Sequence, residues 1–390
     1  MYVEGRVTKV KFRVERDVLA EAVAWVARGL PTRPPVPVLA GVLINAGEDG
    51  TLTLSAFDYE VSARITVPAE VAEAGTVLVL GRLLADISRN LPARPIDVAT
   101  DGSKVQVTCG STRFSLLMMP VDDYPTLPAA PAVSGTIAGD VFTQAVAQVS
   151  IAADRGDTLP ILTGVRVEIE GDKITLLATD RYRLAMRELT WNPEATDASY
   201  VALVPARTLS DTAKALGALG SIEIHLGAAD NGQSGLSSLI GFEAGQRLAT
   251  TRLLDGEYPK VTSIFPSSAD TESVIETSAL VEAVKRVALV AERNTPVRLR
   301  FSDGQVAIEA GSGDGAQGSE AVEAVMTGPE IEIAFNPQFL LDGLGAVGTP
   351  YSRLSFTASS RPAVLSGQAE LDGEADTSYR YVLMPVRFAS

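Results

Sequence analysis

Three segments of the chain place apolar residues at one spacing. In RDVLAEAVAWVARGL (16–30) they are Leu19, Ala22, Val23 and Val26. In GDVFTQAVAQVSIAA (139–153) they are Phe142, Ala145, Val146 and Val149, and in TSALVEAVKRVALVA (277–291) Leu280, Ala283, Val284 and Val287. Each set is i, i+3, i+4, i+7, the core-facing stripe of an amphipathic helix. Asp17, Asp140 and Ser278 stand just ahead of the stripes and are expected as N-caps, accepting a bond from an orphan first-turn N–H. A second helix is predicted in each copy by GRLLADISRNL (81–91), ARTLSDTAKAL (206–216) and NPQFLLDGLGA (336–346). Alternation at period two predicts strands through Leu52, Leu54 and Ala56, through Ile174, Leu176 and Ala178, and through Val297, Leu299 and Phe301.

The stretch PVPVLAGV (35–42) returns as TLPILTGV (158–165), with Pro37 and Pro160, and Gly41 and Gly164, at the same offset. Both copies are expected to turn the chain from helix to strand. The chain is an internal triplicate with a period of about 125 residues, the sign of a repeated structural unit. Each copy closes on strands: RFSLLMMPVDDYPTLP (113–128), RLATTRLLDGEYPKVTSIFP (247–266) and YRYVLMPVRF (379–388). Proline-rich connections after the first two predict domains at 1–128, 129–266 and 267–390. The Gly-rich segments 227–235 and 311–319 are predicted as hairpin tips rather than phosphate cradles.

Composition agrees with three packed domains: 390 residues, 46% hydrophobic and 21% charged. The start, MYVEGRVTKVKFRVERD, is charged and alternating, so no signal peptide is read there. No run approaches the roughly 20 apolar residues of a membrane span. Cys109 is the single cysteine and suits a reducing, cytoplasmic location. The formal charge of −15 argues against a surface that grips nucleic acid everywhere. It leaves room for a local basic face, since exposed charges are screened within about 8–10 Å.

Chemistry is sparse. No G-x-x-x-x-G-K-[ST] loop occurs, and GSGDG precedes no helix pattern. His225 is the sole histidine and lies in the alternating strand SIEIHLG, so a structural role is expected for it. No carboxylate pair is singled out by its spacing. Catalytic, metal and cofactor residues are therefore expected to be absent, and an enzyme is the weakest class.

The order LATDRYRLAM (177–186), FSLLMMPVDDYPTLP (114–128), RLLDGEYPK (252–260) and YVLMPVR (381–387) resembles the bacterial sliding clamp family, the beta subunits of DNA polymerase III, in its actinobacterial branch. The resemblance covers essentially the whole chain. It implies an α+β chain of three tandem DNA-clamp repeats, with antiparallel sheets outside and helices lining a central hole. Two copies would close head to tail as a ring-shaped homodimer around duplex DNA, without sequence preference. The implied partners are the DNA polymerase III alpha subunit, the clamp loader and other proteins carrying a clamp-binding motif, with no membrane partner.

Arg82 and Arg89 lie two turns apart on one helix face, and Arg207 and Lys214 repeat them. By spacing alone these are a solvated face as readily as a phosphate-facing one. The resemblance implies the latter and adds Arg33 and Arg155. In the third copy Gln338 and Gly345 take the corresponding places, so Lys285 or Arg286 is expected to supply charge there.

The resemblance also implies a partner-peptide pocket between the second and third repeats. Its residues would be Leu162 beneath, Thr179, Tyr182, Arg183 and Leu184, then Pro259 and Ile264, Asn336 and Phe339, and the terminal Met384, Pro385, Val386 and Arg387. The segment KVTSIF (260–265) departs from the more basic or aromatic wording common in the family. That departure raises the alternative of a second clamp copy that protects replication from a clamp-targeting inhibitor. A further alternative is an interaction module that no longer encircles DNA.

Overall fold

The computed structural model describes residues 9–156, 158–227, 238–266, 268–292, 295–311 and 315–387. It holds six α-helices among the described residues: α1 (Arg16–Val26), α2 (Gly81–Asn90), α3 (Gly139–Ser150), α4 (Ala206–Leu216), α5 (Thr277–Val287) and α6 (Pro337–Val347). They are the helices the two repeated patterns predict. The stripes on α1, α3 and α5 are all buried. None of the described helices is long and apolar enough to cross a membrane.

The capping prediction is corrected. α1 begins after Glu15 and α5 after Glu276, neither with a side-chain cap bond, so Asp17 and Ser278 are second helical residues; Asp140 is likewise second in α3, yet its Oδ1 does accept the first-turn Val141 N–H at 2.8 Å. An acid within the first turn, such as Asp17 or Asp140, still faces the positive end of the helix dipole, so acids are favoured at both places. Helix α6 carries a side-chain cap: Asn336 accepts from the Gln338 and Phe339 N–H groups at 2.9 and 3.2 Å.

Both proline–glycine repeats form the same turn. Pro37–Ala40 and Pro160–Thr163 are single 3₁₀ turns leading into strands Gly41–Ala46 and Gly164–Glu170. Glycine is required by close approach: a Cβ at Gly41 would lie 2.5 Å from Leu78 Cδ1, and one at Gly164 2.7 Å from Leu203 Cδ1.

The chain forms two compact units, one of Met1–Gly139 with Ala215–Arg252, the other of Asp140–Lys214 with Leu253–Ser390. Strand pairing explains why the middle repeat is shared. Its strand Arg247–Arg252 joins Val61–Pro68 in the first unit, and its strand Arg183–Thr190 joins Ala375–Leu383 in the second. Each unit therefore has a continuous antiparallel sheet, the second of twelve strands. In the first unit α1 packs on α2 and on the strand Val61–Pro68, while the buried Trp25 donates Nε1–H to the Arg64 carbonyl at 2.9 Å. In the second, α5 packs on α6, and Thr143 of α3 donates to the Ala213 carbonyl of α4 at 2.8 Å.

The flanks of both predicted tips are hairpins. Ser221–Leu226 pairs with Leu239–Ala244, and Gln305–Ala310 with Gly318–Thr327. Residues 228–235 of the first tip and 312–314 of the second lie outside the described residues. Cys109 is a buried free thiol. His225 is buried in its strand.

Candidate functional site

In the second unit the turn between strands Lys173–Thr179 and Arg183–Thr190 organises a group of side chains. Asp180 Oδ1 accepts from the Tyr182 and Arg183 N–H groups, both at 3.0 Å, and Thr179 donates its hydroxyl to the Arg183 carbonyl at 2.6 Å. Arg181 is held at φ 78, a left-handed conformation unusual for a non-glycine residue. Asp58, with Tyr59 at φ 77, builds the same turn in the first unit, so the strain belongs to the repeat. The consequence is that Tyr182 stands 58% exposed while Arg183 and Leu184 turn inward.

Arg183 is 5% exposed and fully engaged. Its Nε donates to Asp180 Oδ2 at 2.9 Å, its Nη1 to Asp342 Oδ2 on α6 at 2.6 Å, and its guanidinium lies 4.3 Å from the centre of the Phe339 ring. Burial works against its charge, yet the Tyr381 hydroxyl and the two carboxylates hold its pKa above the ordinary arginine value. Tyr182 stacks on Phe339 with centroids 6.3 Å apart. Asn336 orients Phe339 by capping α6, and the Tyr381 hydroxyl donates to the Phe339 carbonyl at 2.9 Å.

Below lies an apolar cluster in which Leu162, Leu177, Leu184, Met186, Leu203, Tyr258, Val261 and Val382 are buried. Ile264 and Phe265 pack against it half-buried, so the departing KVTSIF segment supplies apolar wall. The final strand ends at Leu383, and the chain leaves the sheet still pinned: Met384 N–H donates to the Tyr182 carbonyl at 2.9 Å and Val386 N–H to the Ala334 carbonyl at 2.8 Å. Met384, Pro385 and Val386 are half-buried, Arg387 and Pro259 exposed. The second unit thus brings Leu162, Thr179, Tyr182, Arg183, Leu184, Ile264, Asn336, Phe339, Met384 and Val386 to this cluster, its turn, the helix cap and the pinned tail, while Pro259, Pro385 and Arg387 are chain neighbours of Tyr258, Met384 and Val386. Sequence reasoning missed Asp180, Asp342 and Tyr381, which hold Arg183.

All six predicted DNA-facing cations are exposed: Arg33, Arg82 and Arg89 in the first unit, Arg155, Arg207 and Lys214 in the second. None forms an ion pair among the described residues. The sequence reading overlooked an exposed acid inside each cation pair, Asp86 between Arg82 and Arg89 and Asp211 between Arg207 and Lys214. Each helix face therefore carries a net single positive charge. Asp342 is the third member of that series, and it serves Arg183 instead. In the third copy the two expected cations are exposed and each is paired. Lys285 is bound to Glu282 at 2.9 Å, and Arg286 to Glu320 at 2.5 and 2.9 Å, so neither is a free cation.

Comparison with known proteins accounts for nearly the whole chain. Family models of the DNA polymerase III beta subunit match in order: the N-terminal domain at residues 10–128, the central domain at 136–260 and the C-terminal domain at 262–387. The beta sliding clamp of Streptomyces coelicolor is 59% identical over 380 residues, covering 97% of this chain and 100% of the relative. The beta sliding clamp homolog GriR of Streptomyces muensis is 50% identical over 379 residues, with 97% and 100% covered. Among solved structures, a sliding clamp from Pseudomonas aeruginosa bound to griselimycin superposes with a TM-score of 0.89 at 28% identity, covering 97% of this chain and 100% of that one.

Proposed function

The chain belongs to the DNA polymerase III beta subunit family, the bacterial sliding clamps, and on that premise we propose that two copies close head to tail into a ring of three domains each. The observation that carries closure is a pair of unpaired strand edges. At each of the two junctions between repeats, the strand following the left-handed turn of one repeat meets a strand near the end of the next. Ala63 faces Ala249 in the first unit, and Ala185 faces Tyr381 in the second. One strand of each kind is left over. Thr112–Leu117 pairs only with Lys104–Cys109 among the described residues, and Gly318–Glu323 only with Gln305–Ala310. Sheets avoid leaving such edges open.

The repeat fixes the register of the missing pairing. Gly318 faces Ala310 as Ala185 faces Ala178 and Ala63 faces Ala56. Ser115 matches Ala249 in the closing motif. In a dimer, Ser115 would then face Gly318 of the other copy, and Arg113 would face Glu320. Light scattering at low micromolar concentration should give twice the 41.0 kDa chain mass. Arg113→Glu should shift the protein to monomer, because like charges directly opposite destabilise a strand pair. Adding Glu320→Arg should restore the dimer, and failure of that exchange to do so would reject the register.

The ring would encircle duplex DNA without reading its sequence and tether the polymerase alpha subunit, the clamp loader and other motif-bearing proteins. These would dock through Leu162, Thr179, Tyr182–Leu184, Pro259, Ile264, Asn336, Phe339 and Met384–Arg387. The protein would act in the cytoplasm as a processivity factor without catalysis of its own. Greater identity to the Streptomyces coelicolor clamp than to GriR supports the ordinary clamp over a specialised second copy. The six exposed cations would meet phosphates, and topology rather than affinity would retain the DNA. Replacing Arg82, Arg89, Arg207 and Lys214 by Gln should leave the dimer mass unchanged. It should flatten the dependence of log K on log salt by about one for each phosphate no longer neutralised, measured by fluorescence anisotropy on a short duplex.

A further inference from the structure

We propose that Glu223, His225 and Glu243 form a divalent-cation site, zinc being the ion their chemistry favours, on two neighbouring strands of the middle repeat. The site lies wholly in the first unit and is independent of both the peptide pocket and the cations assigned to DNA.

His225 is the central ligand. Its ring is 5% exposed, and Nδ1 lies 3.0 Å from the Pro131 carbonyl oxygen. A carbonyl only accepts, so Nδ1 bears the proton, and in the neutral ring Nε2 is a bare lone pair. That nitrogen is buried with no hydrogen-bond partner among the described residues. Glu243 Oε2 is 3.2 Å away but outside hydrogen-bonding geometry. A lone pair held against a carboxylate is repulsive unless a proton or a metal cation lies between them. An imidazole oriented through its far N–H by a backbone carbonyl is the usual arrangement of a metal-ligating histidine.

The carboxylates call for the same cation. Glu223 and His225 are two residues apart on the strand Ser221–Leu226 and so share a face, while Glu243 faces Glu223 directly across the strand pair. Two like charges directly opposite destabilise a sheet. Among the described residues neither carboxylate has a lysine or arginine partner. Gly241 stands opposite His225, where a Cβ would come 3.0 Å from His225 Cβ, so glycine leaves the ring its place. One ligand atom from each of the three side chains lies within 4.8 Å of the others. Small adjustments of the two half-exposed glutamates would bring all three to the roughly 2.0–2.2 Å of zinc–nitrogen and zinc–oxygen bonds, with water completing four-coordination. An imidazole with two carboxylates suits zinc, whereas magnesium and calcium take oxygen-only sets. The ion would tie together two neighbouring strands whose facing carboxylates otherwise repel.

The test uses the full-length protein, stripped with chelator and titrated with zinc chloride by calorimetry, with bound metal counted by elemental analysis. One zinc per chain is expected, undisturbed by excess magnesium, together with a raised thermal midpoint. Cobalt(II) in its place should give visible absorption bands of an imidazole–carboxylate site. Glu243→Gln and Glu223→Gln, both partly exposed and benign to the fold, should each weaken zinc by about 100-fold, at least what loss of an outer-shell partner costs. His225→Gln should abolish binding. Absence of zinc uptake by the wild type would overturn the site, as would uptake that survives Glu243→Gln and Glu223→Gln unchanged.

Discussion

Replacing Arg183 by Met is expected to destabilise the second unit by about 3 kcal/mol, towards the lower end of the cost of breaking a buried ion pair. The cost arises from what is left behind. Asp180 and Asp342 are 11% and 22% exposed, and each gives a carboxylate oxygen to the guanidinium. Without it, two carboxylates remain partly desolvated, and the Phe339 ring loses the cation over its face. Partial hydration of Asp342 keeps the value at the lower end. Arg183→Lys should rescue little, because an ammonium cannot reach two carboxylates through a planar fork while stacking on an aromatic ring. Urea unfolding of the wild type and Arg183→Met, followed by the second unit's near-UV signal, measures the difference. Adding Asp342→Asn to Arg183→Met should recover part of the loss, since the two residues share one network. A loss below about 1 kcal/mol would mean that water already screens the pair as it does at a surface.

The same residue shows where sequence reasoning reaches its limit. Helices α1, α3 and α5 were legible because a 3.6-residue apolar period is local, and three copies of it reinforce one another. The hairpins were legible from equally local signals, two-residue alternation and Gly-rich turns. Arg183 was placed at the pocket by resemblance, but its hold on Asp342 joins residues far apart in the chain, and no local pattern encodes that. The repeat did hold a clue. Asp86, Asp211 and Asp342 are equivalent, and only in the third copy have the flanking cations become Gln338 and Gly345. In the third copy the acid stands on that helix face without flanking cations, and it pairs with Arg183 instead. Caps were placed one or two residues late at α1, α3 and α5 because short polar and acidic residues are favoured both at the cap and within the first turn. The sharing of the middle repeat between two sheets was not legible at all. Which strand edge meets which is decided by geometry across the sheet, whereas each strand's pattern specifies only its two faces.

Truncation before Met384 should weaken binding of a clamp-binding-motif peptide by about 100-fold or more, while the solution mass stays that of the full-length protein. The final strand divides sharply in its burial. Tyr381, Val382 and Leu383 are at most 1% exposed and pair on one side with Arg183–Thr190, on the other with Ala363–Gln368. Met384, Pro385 and Val386 lie beyond the strand, half-buried against Tyr182 and Ala334, so their loss leaves the sheet intact. Their apolar surface is what a docking peptide would cover. Two partly buried side chains of this size together are worth about 3 kcal/mol when completely enclosed, and every 1.4 kcal/mol is tenfold in affinity. Met384 adds adaptability, because an unbranched thioether can repack against partners of different shape. The edges Thr112–Leu117 and Gly318–Glu323 involve none of these residues, which separates pocket from ring. Peptide titration by anisotropy alongside light scattering reads both at once. Loss of the dimer on truncation would join the two surfaces into one, and unchanged peptide affinity would remove the tail from the pocket.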